Sequence, residues 1–332
     1  MTTPPPAAPL LAHLEEPPLP EHIQRALEDH DPIMRERFKN IYLGMQRRDD
    51  ARAAAEQSQP PRPDEKPKKA QVIPFPTFPT ETRPIVNEIA RSALFSAIQS
   101  KDRQMLKDAP VAVSSDGKIL FTGEQLNQDD HDVFMQLISI GSSKPVGEYI
   151  TTTGHSLLKA LGRGTGKSQH DQLKAEIKRL VEGSVEIKVK RFTYFGHLIH
   201  DAKKDEESGH WVFRLNENLL PLFGANCYTL INWEQRKQLK GDLACWLQLY
   251  LATHADPFPV KVETLHRLSG SKAKALRHFR EKLRLALDAL QAAGHIKAWY
   301  IEPETDLAHV DRGEAITDSQ QRHLTKPRTR PK

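Results

Sequence analysis

The apolar positions of this chain fall into two successive sets that repeat the same order of periods. In the first, Leu126, Val133, Phe134, Leu137 and Ile138 predict a helix over Gln125–Ile140. A short strand over Glu148–Thr151 leads to a helix over Ser156–Leu161 and a turn carrying Gly162, Gly164 and Gly166. Leu173, Ile177 and Leu180 mark the inner face of the helix that follows. Val185–Lys190 and His210–Leu215 then alternate and predict strands of a meander. In the second set, Leu239, Leu243, Trp246, Leu247 and Tyr250 mark a helix, and Pro259–Val262 a strand. A short helix breaks at Ser269 and Gly270, and Leu276, Phe279, Leu283, Leu287 and Leu290 form the buried face of a long one. Ile296–Ile301 and Leu307–Val310 read as paired strands around the turn Pro303–Asp306.

Helix, strand, helix, turn, long helix and hairpin is the winged-helix order. Leu158 and Leu161-Gly162 in one copy match Leu265 and Leu268-Ser-Gly270 in the other. The expected fold class is α+β, with two tandem winged-helix domains preceded by a Pro-rich, largely disordered arm. Sixteen of the 24 prolines lie in the first 84 residues, a density that opposes a packed domain. The expected organisation is an arm over 1–86, with transient helix between Glu21 and Gln57, then domains over 87–224 and 225–312. A basic, polar tail over 313–332 closes the chain.

Charge sharpens this picture by its distribution. The net charge is +5, but residues 1–89 carry 12 basic and 14 acidic side chains. Ser271–Arg284 alone holds six Lys or Arg against one acid, Glu281. A helix-turn-helix whose second helix has an apolar back and a cationic leading end suits the major groove of DNA. A solvated basic face would show the same composition, so the charge does not decide alone.

Other chemistries fit poorly. Gly162-Arg-Gly-Thr-Gly-Lys-Ser168 has three residues between Gly162 and Gly166, where a phosphate-binding P-loop needs four and a preceding strand. His197 and His200 are spaced so that a strand points them to opposite sides, without a carboxylate cluster, which opposes a metal-dependent nuclease. Trp233, Trp246 and Trp299 sit in apolar periodicities and are expected in the core. Cys227 and Cys245 are the only cysteines and form no zinc or disulfide pattern. No catalytic set, metal or cofactor is expected. Neither a secretory signal nor a run of membrane-spanning length is evident, so the expected location is the cytoplasm.

Several stretches together resemble the TrfA-type initiators of plasmid replication. They are Ala90–Phe95, Phe121–Leu126, Asp129–Gln136, Pro145–Glu148, Tyr228–Glu234 and Asp256–Thr264, in the family's order. The resemblance implies binding of repeated double-stranded sites (iterons) at a plasmid origin, and melting of that origin would follow from bending and wrapping by several bound copies plus capture of unwound single strands. It also implies a monomer–dimer equilibrium and recruitment of the host initiator and replicative helicase, without ATP hydrolysis. The family's peptide for the sliding clamp has the form Gln-Leu-x-Leu-Phe. Here Gln71-Val-Ile-Pro-Phe75 stands in its place, and the proline departs from that form.

Backbone phosphates supply most affinity and base edges the specificity. Lys272, Lys274, Arg277 and His278 are therefore expected in or beside the major groove, with Ser271 capping the helix against a phosphate. Arg280 and Arg284 are expected at flanking phosphates. Lys167, Ser168, Gln169, His170 and Lys174 form the weaker second contact, and Lys188, Lys190 and Arg191 strand or wing contacts. A transcriptional regulator or autorepressor built from the same modules is the competing reading, and a protein-binding adaptor a third.

Overall fold

The computed structural model describes residues 77–113, 117–145, 147–189, 192–224, 227–254 and 257–312, together with Glu36. Most of the expected arm, the Gln71–Phe75 peptide, Lys190, Arg191 and the tail lie outside the described residues. The first half starts with β1 (Thr82–Val86), the single turn α1 (Asn87–Ala90) and β2 (Phe95–Ser96). An antiparallel pair, β3 (Met105–Val113) and β4 (Gly117–Glu124), precedes β5 (Leu126–Asn127) and α2 (Gln128–Gly141). Then come β6 (Tyr149–Thr153), α3 (Gly154–Ala160), α4 (Lys167–Glu182), β7 (Ser184–Val189), β8 (Phe192–His197), β9 (Ile199–Lys204) and β10 (His210–Leu215). A connector of β11 (Tyr228–Asn232) and α5 (Trp233–Gln238) leads to the second half. That half holds α6 (Asp242–Ala252), β12 (Val260–Lys261), α7 (Val262–Ser269), α8 (Leu276–Ala292), β13 (Ile296–Ile301) and β14 (Leu307–Arg312).

Local chemistry explains the helix starts. Asn127 and Asp130 form a reciprocal capping box that opens α2, and Thr153 accepts from the Ser156 amide to open α3. Each long helix then buries one stripe: Leu173, Ile177 and Leu180 on α4, and Phe279, Leu283, Leu287 and Leu290 on α8. Two cores result, one centred on each half, with Leu249 of α6 joining the first. Both halves belong to one compact unit.

The structure corrects the expected organisation at three points. Residues 82–86 are not part of the arm, because β1 pairs with β11 from Thr82↔Asn232 to Val86↔Tyr228 and buries Ile85 and Val86. Pro84 is tolerated because each strand of a two-stranded ribbon has a side free of ladder bonds. Ile231 and Trp233, beyond the expected boundary at 224, pack in the first core, whereas the second core begins at Leu239. The expected meander is also divided between two sheets. β7 lies in the order β3-β4-β7-β8, and β10 in the order β6-β10-β9. Buried Leu198 is the one residue between β8 and β9, and the chain changes sheet there.

Candidate nucleic-acid interface

The second helix-turn-helix is α7, its turn and α8. Gly270 ends α7 in the left-handed region at φ 64°, a conformation that costs glycine nothing. The long helix then starts at Leu276, not at Ser271. Local bonds hold the intervening residues out of helix: His266 Nε2 contacts the Ala273 carbonyl at 3.0 Å, and the Ala273 amide donates to Ser271 Oγ at 3.4 Å. Ser271 therefore does not cap α8; the cap position is Ala275, which has no side-chain acceptor. Lys272 and Lys274 stand in the turn, ahead of the helix.

On α8, Arg277, His278, Glu281 and Arg284 are exposed and lie away from the apolar stripe. Among the described residues, no ion pair engages Lys274, Arg277 or Arg284. His278 faces Glu281 at 3.6 Å. Arg280 is committed elsewhere. Its guanidinium donates twice to the Asp306 carboxylate, at 2.9 Å each, and these bonds hold its pKa above the ordinary value. Asp306 sits in the turn between β13 and β14, so Arg280 ties the helix to the hairpin instead of presenting a free charge. Lys272 donates to Gln104 of the first half at 2.7 Å.

The first half repeats the arrangement. Gly162 ends α3 with φ 69°, at the point matching Gly270. α4 starts at Lys167 behind Gly166, with Lys167 and Ser168 exposed and Gln169 half-buried. His170 is turned inward: a Cβ on Gly154 would lie 2.9 Å from its Nδ1. Lys174 pairs at 2.9 Å with Glu206, in the turn between β9 and β10, as Arg280 does with Asp306. Lys188 lies in a different sheet from the β9–β10 hairpin. It is exposed on β7 in the four-stranded sheet, opposite Lys118 and Thr193.

The sequence reading did not find the polar residues that fix the halves together. Arg236 of α5 is 1% exposed. Its Nε donates to Asp132 at 2.8 Å and its Nη2 to Gln128 at 3.0 Å, both on α2. Its Nη1 donates to the Cys245 carbonyl of α6 at 2.5 Å. Burial disfavours this charge most strongly, but Asp132, Cys245 and Asp129 together outweigh it and the pKa is raised. His131 beside it stacks on Phe95 at 4.1 Å and is held neutral, first by burial and then by Arg236. Trp233 and Trp246 are buried and donate to the carbonyls of Ala160 and Ser92. Trp299 is only half-buried.

Among the described residues, no helix is long and apolar enough to cross a membrane. Comparison with known proteins places these features in a wider setting. The model of the TrfA protein family matches residues 64–312. The plasmid replication initiator protein TrfA of Escherichia coli is 26% identical over 244 residues, covering 71% of this chain and 63% of that protein. The chain thus spans just under two thirds of that relative's length. Among solved structures, domains 2 and 3 of RctB align with a TM-score of 0.47 at 11% identity, over 66% of this chain and 94% of that one. The Pi initiator protein in complex with iteron DNA aligns with a TM-score of 0.47 at 12% identity, over 69% and 95%.

Proposed function

The chain belongs to the TrfA protein family, and from that premise we propose that it initiates plasmid replication by binding repeated double-stranded sites in a plasmid origin. The reading takes the two halves as winged-helix modules: α2, β6, α3, α4 with the β9–β10 wing, and α6, β12, α7, α8 with the β13–β14 wing. The observation that carries it is the internal repeat. Both turns pivot on a left-handed glycine, Gly162 and Gly270. Both wings pair their second strand with the strand before the helix-turn-helix, β10 with β6 and β14 with β12. Both long helices send one cation to the wing turn, Lys174 to Glu206 and Arg280 to Asp306.

In this reading α8 enters the major groove and Arg277 and Arg284 face the DNA, with Lys272 and Lys274 leading. His278 stands beside them. Lys167, Ser168 and Gln169 open α4 toward a neighbouring groove or phosphate, where amides at a helix start favour an anion. With about eight phosphates engaged, affinity should drop roughly a thousandfold or more between about 50 and 200 mM salt. Bound copies would then bend the origin and capture unwound strands, and would recruit the host initiator and helicase as the family resemblance implies.

The test has two parts. The purified chain should protect directly repeated sites in the DNA beside its gene. Supplied with that origin fragment, it should maintain a plasmid deprived of its own initiator. Protection of a promoter, with plasmid maintenance unaffected by deletion of the gene, would make it a regulator instead.

A further inference from the structure

A cleft of about 480 Å³ opens beside α8, walled by both halves. Lys101 and Asp102 come from the first half, Lys240 from the segment before α6, Asp242 from the start of α6, Lys272 from the turn, and Lys282 from α8. All four lysines are exposed. Among the described residues none of the six side chains has an ion-pair partner, and the surplus of cations is two.

We propose that this cleft holds the sugar–phosphate backbone of the same duplex whose major groove takes α8. The proposal rests on the groove reading of α8 and extends the contact beyond that helix. The dimensions support it. A major groove is about 12 Å wide and a helix with its side chains about 10–12 Å across, so the phosphate ridges run along the helix flanks. The flank of α8 that faces the first half carries Lys282 and Leu285 into the cleft. Leu285 is 70% exposed and gives the cleft an apolar edge that deoxyribose can cover. The walls are held before any ligand arrives. The Ala97 amide donates to the Ser269 carbonyl at 2.7 Å, and Lys272 is anchored on Gln104. An acidic peptide would match the charge as well, but only a duplex explains why one wall is α8, whose Arg277 and Arg284 have no ion pair among the described residues.

Asp242 gives the site a second signature. Its carboxyl is pushed up to about 6, by burial first and then by Asp129 of α2, against the pull of Arg103 and Arg236. Asp102 and Cys245 add to its surroundings, and Lys101, Lys240, Lys272 and Lys282 line the cleft around it. A phosphate in the cleft would raise that pKa further, so binding takes up a proton and strengthens as pH falls.

The experiment titrates salt against a mixed-sequence duplex of about 30 base pairs, because phosphate contacts do not depend on sequence. The combined Lys101→Gln, Lys240→Gln and Lys282→Gln variant should flatten the slope of log affinity against log salt by roughly 2–3. Its melting temperature serves as the control for folding, and all three side chains are exposed. Asp242→Asn should bind several-fold tighter than the parent near pH 8 and equally near pH 5.5. An unchanged slope in the lysine variant, or an Asp242→Asn affinity equal to the parent's at both pH values, overturns the proposal. If Arg277→Ala still weakens binding in that case, only the cleft is lost. If the parent chain fails to bind the duplex, the reading of α8 falls with it.

Discussion

Arg280 grips Asp306 through two parallel hydrogen bonds of 2.9 Å, tying α8 to the turn of its hairpin. The fork geometry of a guanidinium on a carboxylate fixes orientation as well as distance. Asp306 itself adopts φ 55°, a left-handed conformation that aspartate tolerates better than most residues. Two neighbouring arginines on one helix are thereby given different tasks. On the proposed reading Arg277, which has no ion pair among the described residues, faces DNA, while Arg280 holds the β13–β14 hairpin against α8.

Arg277→Ala should accordingly cost about 1–3 kcal/mol of affinity for the cognate repeat and relax specificity at one base if it reads a guanine. Arg280→Ala should weaken binding less and leave base preference unchanged. Competition binding against single-base variants of the repeat distinguishes the two. Equal loss of specificity in both variants would contradict the division of labour.

A second prediction concerns the pivot of the helix-turn-helix. A Cβ on Gly270 would meet Ser96 Oγ at 2.6 Å and Ala93 Cβ at 3.0 Å, besides imposing the left-handed backbone on alanine. Gly270→Ala should lose about 1–3 kcal/mol of stability in urea denaturation. Gly166→Ala is the contrast, since nothing lies within 4 Å of the added carbon. Its stability should change by less than about 0.5 kcal/mol.

Removing the Arg236 side chain would strand Asp132 and Gln128 on one helix and the Cys245 carbonyl on another. Arg236→Met should therefore cost about 3–5 kcal/mol, as breaking a buried ion pair does. Adding Asp132→Leu should recover part of that loss, because the uncompensated carboxylate goes with it. Urea midpoints of the single and double variants measure this coupling directly.

The raised pKa of Asp242 has a consequence for folding as well. Its carboxyl titrates near 6 in the folded chain, above the ordinary value of 3.8, so the folded state disfavours the ionised form. This group's contribution to stability therefore improves as pH falls through 6 toward the usual carboxylate range, and is least favourable above it. Asp242→Asn should melt above the parent near pH 7.5, and the gap should close by about pH 4. A gap that is constant with pH would contradict the shift.

The sequence by itself determined the helices that build the candidate site, because amphipathic periodicity is a local property. Phe279, Leu283, Leu287 and Leu290 face one way whatever surrounds them, and α8 buries those residues. The two matching sets and the glycine pivots at Gly162 and Gly270 were legible for the same reason. The start of α8 was not. Ser271 has the chemistry of a cap, but the bonds at Ala273 keep the chain out of helix as far as Ala275. Only the tertiary structure decided what joins the halves. β1 finds β11 some 150 residues along the chain, and Arg236, in a six-residue helix that reads as polar surface, reaches partners 104 and 108 residues away. The packing of each hairpin beside its helix likewise tied Lys174 and Arg280 to the β9–β10 and β13–β14 turns, while no ion pair engages Arg277 among the described residues. A charge in a sequence shows that a cation is present, but its partners in space determine whether it is available to DNA.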